Sequence, residues 1–554
     1  MFIIMMRKKL KFKPLTLILL IIGLYLIGSL SLERIQVADT INLELNGDEK
    51  VLCFQNYDFL ITYAEDAKQI DVEVSANIEI LKDRVYQFQF LLASFYQIKI
   101  HSLTIDDQTV DYQYFNDLYQ IQLPFSCFKG KKLALKMKYS ITRLLASNYV
   151  KAELRGNWYP KNILPEMTKA NFKLIVPKGT MGIANGKLTE VTELSSNQSV
   201  FRWEMNNTAT SLGVSLGQYS ASSKMVADQF FHIYSIPAYD SNHRKKILNQ
   251  AIEISSVYRQ YFGGKKFEGM SIVINDTQGE EAAFGSLIFL HHNNIKNEES
   301  NFFNLAHEIS HYWWGNLIMP KTIYDWWIVE GFANYSAFLV TEILAESPDL
   351  GRIPEPQKIL TNWREQYFDS VYNLNQYQVP ELSLAEISPL DSQRNLLYNK
   401  GAYVLHMLRK MIGDESFNQY LKEIISEYSL KYLGVRDFTR IGVANYGAEL
   451  MDFFRQWVYS TGYYNLAINK IDITEIDDEF IIEIKIINNG QLSMPDFIEL
   501  EIITNEMIYP EILHFNGVNV TIQKTLKHRP EGVKINSQNN ILEIFIDDNY
   551  IIIN

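Results

Sequence analysis

Cysteine is almost missing from this sequence: Cys53 and Cys127 are the only two among 554 residues. A disulfide-dense scaffold is therefore excluded. Neither cysteine has a His or Cys neighbour, so thiolate metal sites and cysteine nucleophiles are set aside. Spacing leaves open whether the two pair or remain buried thiols. Extended Lys/Arg blocks are also lacking beyond the first 13 residues, and the net charge is −12, which disfavours a nucleic-acid partner. No internal repeat and no low-complexity linker interrupts the chain. With 47% hydrophobic residues, 33 Tyr and 31 Phe, general disorder is excluded, and a chain of this length can bury a large core.

What is present begins with an asymmetric N-terminus. Residues 1–13 form a basic stub carrying Arg7, Lys8, Lys9, Lys11 and Lys13, followed by an uncharged apolar run over residues 14–32. As a helix that run is about 28 Å long, enough to span a hydrocarbon core of roughly 30 Å. Flanking cations hold the N-terminus inside, so the remainder is expected to be extracytoplasmic. An uncleaved single-pass signal-anchor is the favoured expectation. Ser29-Leu30-Ser31 has the small-residue spacing of a cleavage site, and secretion after cleavage is the alternative.

Periodicity divides the rest. Over residues 35–225 short alternating runs such as Ile70 to Ile78, Leu133 to Tyr139 and Phe172 to Val176 predict a β-rich domain. Residues 226–465 shift to helical spacing from about Ile247, with Gly263 and Gly413 as helix ends and one strand, Met270 to Ile274, ahead of them. Residues 466–554 return to strands and predict a small β-sandwich. The fold class is therefore α+β and multidomain.

One constellation carries chemistry. His307-Glu308-Ile309-Ser310-His311, placed on a helix, presents two imidazoles one turn apart, and Glu330 follows. Two neutral nitrogens and one carboxylate leave an open position on a single Zn²⁺ ion, the coordination of a hydrolytic centre. Glu308 is the candidate general base, poorly aimed to be a ligand itself. Taken alone, the pentapeptide leaves a helix with two surface or core histidines as the lesser alternative. Asp325 and Asn334 are near enough in sequence to orient the imidazoles, although a cap or helix-surface role is the simpler expectation for each. His291 and His292 read as an exposed loop pair, and His406 as a helix-surface or core residue.

His307-Glu308-x-x-His311 with Glu330 after eighteen intervening residues resembles the aminopeptidase N type of gluzincin metallopeptidase. His311-Tyr312-Trp313-Trp314-Gly315-Asn316 is similar to that family's H-Q-W-F-G-N, and Glu330-Gly331-Phe332-Ala333 to its E-G-F-A. Tyr398-Asn399-Lys400-Gly401-Ala402 resembles its Y-E-K-G-A, which implies for Tyr398 a role in stabilising the oxyanion; on composition alone Tyr398 is one tyrosine among 33. Trp158-Tyr159-Pro160 is similar to an element of bacterial relatives. The resemblance implies a β-rich first domain, a thermolysin-like catalytic domain and a β-sandwich, with peptide or protein as substrate.

One departure stands out. The family's G-A-M-E-N carries a glutamate that binds the substrate α-amine, and here Gly279 to Ile288 places Ala282 or Ala283 at that position. Glu280 or Glu281 could bind substrate from a shifted position; otherwise both are solvated loop charges. The family's long helical C-terminal domain has no counterpart in the pattern, so an open site is expected. The leading expectation is a membrane-anchored zinc metallopeptidase, exopeptidase or endopeptidase. The alternatives are a non-catalytic relative that binds peptides or proteins, and hydrolysis of a non-peptide substrate in the same site.

Overall fold

The computed structural model describes residues 50–92, 96–115, 117–142, 144–263, 268–279, 281–493, 497–514, 520–544 and 549–553. The basic stub 1–13 and the apolar run 14–32 lie outside them. Among the described residues no helix is long and apolar enough to cross a membrane.

The first part is a twisted eight-stranded sheet. Its strands run in the order Lys187–Ser195, Gln198–Glu204, Lys169–Pro177, Leu52–Ala64, Gln69–Ile80, Lys132–Ile141, Ile98–Ile105, Gln108–Thr109. Alternation builds it: Ile70, Val72, Val74, Ala76, Ile78 and Ile80 are all buried while the intervening residues are at least partly exposed. Leu52–Ala64 pairs in parallel with Lys169–Pro177, with Phe59 opposite Phe172. Two three-stranded sheets close over this one. Cys53 and Cys127 are both free thiols.

A second, five-stranded sheet follows, in the order Ser220–Val226, Gln229–Ser235, Gly269–Asn275, Leu287–His291, Ala282–Phe284. The sequence pattern suggested one strand here. That one is the central strand, fully apolar at its core (Ile272, Val273, Ile274) because both of its faces are covered, while Leu287–His291 and Ala282–Phe284 are too short to show a period. The expected division between residues 225 and 226 runs through the hairpin of Ser220–Val226 and Gln229–Ser235, so this sheet begins at Ser220. Alternation simply continues across that point until Tyr239.

Five helices surround the functional region: α1 (Ser241–Phe262), α2 (Glu298–Ser310), α3 (Trp327–Leu344), α4 (Pro356–Gln376) and α5 (Asn395–Ile412). Side chains set their starts. Asp240 accepts from the backbone N–H groups of Asn242 and His243 at 2.9 Å, and Asn297 does the same for Glu299 and Ser300 at 3.2 and 3.3 Å. Gly263 ends α1 at φ 66°, a conformation glycine adopts without strain. Helices α3 and α5 cross backbone to backbone at Gly331 and Gly401. A Cβ on Gly331 would lie 3.0 Å from Cα and C of Gly401 and from the Leu397 carbonyl oxygen. The two glycines thus set how closely Glu330, on α3, approaches Tyr398, on α5.

The last part has two sheets, Leu466–Ile476 with Glu479–Asn488 and Val520–Leu526, and Ile508–His514 with Phe497–Thr504, Pro530–Ile535 and Tyr550–Ile552. Ile482, Ile484 and Ile486 of the first and Ile498, Leu500 and Ile502 of the second are buried in the same continuous core as the helices. A separate core fills the N-terminal sheets and extends to Phe284, Leu287 and Phe289 of the five-stranded sheet. The main cleft opens between these two bodies.

Candidate metal centre

The cleft encloses about 1000 Å³ and is lined from both sides, by the segment Tyr159 to Glu166 and by α2 to α5. At its inner end one ligand atom each from His307, His311 and Glu330 lie within 4.8 Å of one another. His307 and His311 Nε2 are 3.2 Å apart, and Glu330 Oε2 lies 3.5 and 3.6 Å from them. Helical spacing on α2 places the two rings together. Glu330 enters from the first turn of α3, where Trp326 Nε1 donates to its other oxygen at 3.3 Å.

The imidazole tautomers follow from their outer partners. His311 Nδ1 is 3.0 Å from the Trp314 carbonyl oxygen, which can only accept, so Nδ1 carries the proton. His307 Nδ1 is 2.8 Å from Asn334 Oδ1, whose amide nitrogen donates to Asn399 Oδ1 at 3.4 Å, itself tied to Gln366 at 2.5 Å. Both Nε2 lone pairs therefore converge with a carboxylate on one small volume. Three acceptors at these separations repel one another unless a cation lies between them, so the donor set fits a metal ion.

Glu308 sits beside this cluster, 6% exposed, and its Oε2 has no hydrogen-bond partner among the described residues. Burial pushes its carboxyl up to about 8, with Glu330 and Glu281 adding to the rise and His307 and Arg155 opposing it. A cation among the ligand atoms would pull it back down. Tyr398 is half-buried in the first turn of α5, its ring centroid 6.0 Å from that of His307 and inclined by only 18°.

The other expected residues separate. Asn334 holds a metal-facing imidazole. Asp325 does not: Oδ2 accepts from Thr322 N and Oγ1 at 2.8 and 2.7 Å in a capping box, and Oδ1 from Val435 N at 2.7 Å. Glu280 lies outside the described residues. Glu281 is in the cleft wall, with Asn304 Nδ2 donating to Oε2 at 2.5 Å. Ala282 and Ala283 follow it on the edge strand of the five-stranded sheet, antiparallel to Phe289 and Ile288. His291 and His292 stay apart from the cluster; the His292 carbonyl accepts from Tyr239. His406 is buried, bonded to Asn540 Oδ1 at 2.7 Å.

Two contributors had weaker signals in sequence. Asn316 ties the end of the motif segment to the N-terminal part: its Oδ1 accepts from Thr210 N and Oγ1 at 3.0 and 2.8 Å, and its Nδ2 donates to the His311 carbonyl at 2.8 Å. Gly315 before it turns at φ 107°. Asn304 is a polar residue on the cleft face of α2, one turn before His307 and Glu308, a spacing that could have singled it out.

Comparison with known proteins adds to this geometry. Residues 282–457 match the peptidase family M1 domain. Aminopeptidase N of Lactococcus lactis subsp. lactis is 26% identical over 174 residues, 31% of this chain and 20% of that protein. Tricorn protease-interacting factor F2 of Thermoplasma volcanium is 23% identical over 361 residues, 60% of this chain and 45% of the relative. The chain spans less than half the length of these curated relatives. Among solved structures, a mutant M1 zinc metallopeptidase of Deinococcus radiodurans bound to a Tyr-Ser-Ala substrate superposes with TM-score 0.59 at 17% identity, covering 75% of this chain and 95% of that one. Legionella pneumophila aminopeptidase A, bound to aspartic acid, gives TM-score 0.67 at 14% identity, covering 90% of this chain and 60% of that one. At such identities the structural likeness establishes the fold.

Proposed function

We propose that this chain, which carries a peptidase family M1 domain at residues 282–457, is a zinc-dependent metallopeptidase that hydrolyses peptide bonds. The observation that carries the reading is the convergence of His307, His311 and Glu330 with the unpartnered Glu308 oxygen beside them. His307, His311 and Glu330 would hold one Zn²⁺. When bound, zinc supplies a Lewis acid at the inner end of the cleft. Glu308 takes the proton of the attacking water and passes it to the departing amine. Its Oε2, with no hydrogen-bond partner among the described residues, is free to take up that proton. Tyr398 donates from its phenol to the carbonyl oxygen as that oxygen gains charge. Asn334 and the Trp314 carbonyl keep the two imidazoles in the tautomer that ligation requires.

Glu281 supports an aminopeptidase in particular. It lies in the cleft wall next to the edge strand, oriented by Asn304, where a carboxylate can receive a free ammonium group. It would thus stand in for the glutamate that Ala282 and Ala283 do not supply. The residues 14–32 are proposed as a membrane anchor that leaves the cleft extracytoplasmic.

The test is metal analysis together with hydrolysis of matched peptides with free and acetylated N-termini. One zinc per chain and preferential cleavage of the free peptides are expected, and Glu281→Gln should erase the preference. Equal cleavage of acetylated peptides would remove the aminopeptidase assignment. Metal binding without any hydrolysis would favour the binding-protein alternative.

A further inference from the structure

The segment Trp158-Tyr159-Pro160 is not used by the proposed chemistry, yet the fold fixes it firmly. Trp158 Nε1 donates to the Leu212 carbonyl at 2.9 Å, Tyr139 Oη to the Trp158 carbonyl at 3.0 Å, and Tyr57 Oη to the Pro160 carbonyl at 2.8 Å. The next residue, Lys161, is clamped through its backbone to Leu91 by two hydrogen bonds of 2.7 and 3.2 Å. This pinned segment presents Lys161 to the cleft that holds the metal cluster.

Lys161 is an unusual wall residue. Its ammonium lies 5.6 Å from the Tyr159 ring centroid, half-buried, and no carboxylate among the described residues pairs with it. Burial pushes it down to about 8 with no compensating anion. The neighbouring carboxylate, Glu166, is already engaged by Lys50, Asn162 and Phe54 N. A half-buried ammonium with one aromatic face and no counter-ion is a receptor for an anion from outside. The other lysine or arginine on the described wall, Arg394, is exposed and shares the wall with Asp369. The cleft therefore has an anionic position at Glu281 and a cationic one at Lys161, and about 1000 Å³ is the volume of a small-ligand site.

We infer that Lys161 is a specificity-determining residue that receives the C-terminal carboxylate of short free peptides. The inference rests on the metallopeptidase reading and narrows its substrates to oligopeptides whose two ends are both read. Held at its ends, such a peptide has its scissile bond positioned without contacts to its side chains, which gives broad sequence tolerance.

Two readouts test this. In the first, kcat/KM is measured for tri- and tetrapeptides as free acids and as C-terminal amides. The free acids should be preferred by roughly ten- to hundredfold, the usual range for one charge-assisted hydrogen bond in a partly desolvated site. Lys161→Met should collapse that ratio toward one, Lys161→Arg should preserve most of it, and Arg394→Met should leave it in place. In the second, equilibrium binding of the same acid and amide pairs is measured by calorimetry on Glu308→Gln protein, which needs no turnover. The same ratio should appear there and vanish on adding Lys161→Met. Equal treatment of acids and amides by the unaltered protein would overturn the inference, as would a ratio that survives Lys161→Met or follows Arg394 instead. Preference for an amide bearing an Asp or Glu side chain over the free acid would overturn the C-terminal assignment. Failure of the metallopeptidase reading looks different: acids and amides both go uncleaved, while the binding ratio still reports on Lys161.

Discussion

Replacing Gly331 by alanine tests whether the α3–α5 crossing sets the geometry of the site. An alanine there gains about 1 kcal/mol of helix propensity over glycine. Against that, its Cβ meets three atoms at 3.0 Å, two of them backbone atoms of Gly401 and the third the Leu397 carbonyl oxygen. No flexible side chain can yield, so the helices must separate by about 0.5 Å, and overpacking of this kind costs about 1–3 kcal/mol. A net destabilisation of up to ~2 kcal/mol is expected. Gly401→Ala provides the internal comparison. Its Cβ has a single tight neighbour, Gly331 Cα at 3.1 Å, with the next at 3.6 Å, so strain and propensity nearly cancel. The functional effect should follow the same order. Glu330 immediately precedes Gly331 and Tyr398 lies one turn before Gly401, so separation changes their relative placement. If 1 Å of misplacement costs on the order of a hundredfold, half of that costs about tenfold in kcat. Urea denaturation of zinc-loaded protein and peptide turnover measure the two effects. Gly331→Ala with unaltered stability and kcat would refute the reasoning, and so would Gly401→Ala proving the more damaging.

Other outcomes follow from particular contacts. Asn334→Ala should weaken zinc binding by about ten- to hundredfold in chelator competition, by freeing the His307 ring. Asp325→Ala should leave zinc affinity unchanged while costing ~1–2 kcal/mol of stability as a lost cap. Burial lowers His406 from 6.5 to about 3, with Lys410 and Arg409 reinforcing the shift and Asn540 and Asp414 opposing it. The unfolded chain therefore binds a proton that the folded one refuses, so stability is full above pH 6.5 and falls as pH drops toward 3. Between pH 6.5 and 5 that single group accounts for ~2 kcal/mol, and His406→Gln should show a correspondingly shallower acid slope in denaturation. Reduction with dithiothreitol should leave stability unchanged, because Cys53 and Cys127 are free; a disulfide would have contributed about 2–4 kcal/mol.

The metal cluster was legible because it is nearly local: two of its members share one helix turn and the third opens the next helix. Asn334 was also within reach, since it lies four residues after Glu330 and hence on the same face of α3. Treating it as a cap or surface group overlooked that spacing. Asp325 shows the converse, a residue equally near in sequence whose partners, Thr322 and Val435, turn it away. Of the five-stranded sheet, Met270 to Ile274 was legible as a continuous apolar run, whereas Ala282–Phe284 and Leu287–His291 are too short to show a period. Glu281 and Lys161 belong to a third kind. The roles proposed for them depend on which wall of a cleft they occupy, and that wall is assembled from segments more than a hundred residues apart. Composition and period carry no trace of it.

His406 is one of several ties between α5 and the end of the chain. Tyr403 donates to the Asn539 carbonyl, Leu542 N approaches Met407 Sδ at 3.4 Å, and Gln357 of α4 donates to the Gln538 carbonyl at 2.9 Å. A short stretch near residue 540 is therefore the outer support of the two helices that carry Tyr398 and Gln366. The portable unit is accordingly larger than the stretch 282–457 that bears the family likeness. Grafting that stretch alone onto another scaffold would carry every proposed ligand and still leave α5 without the surface on which it rests.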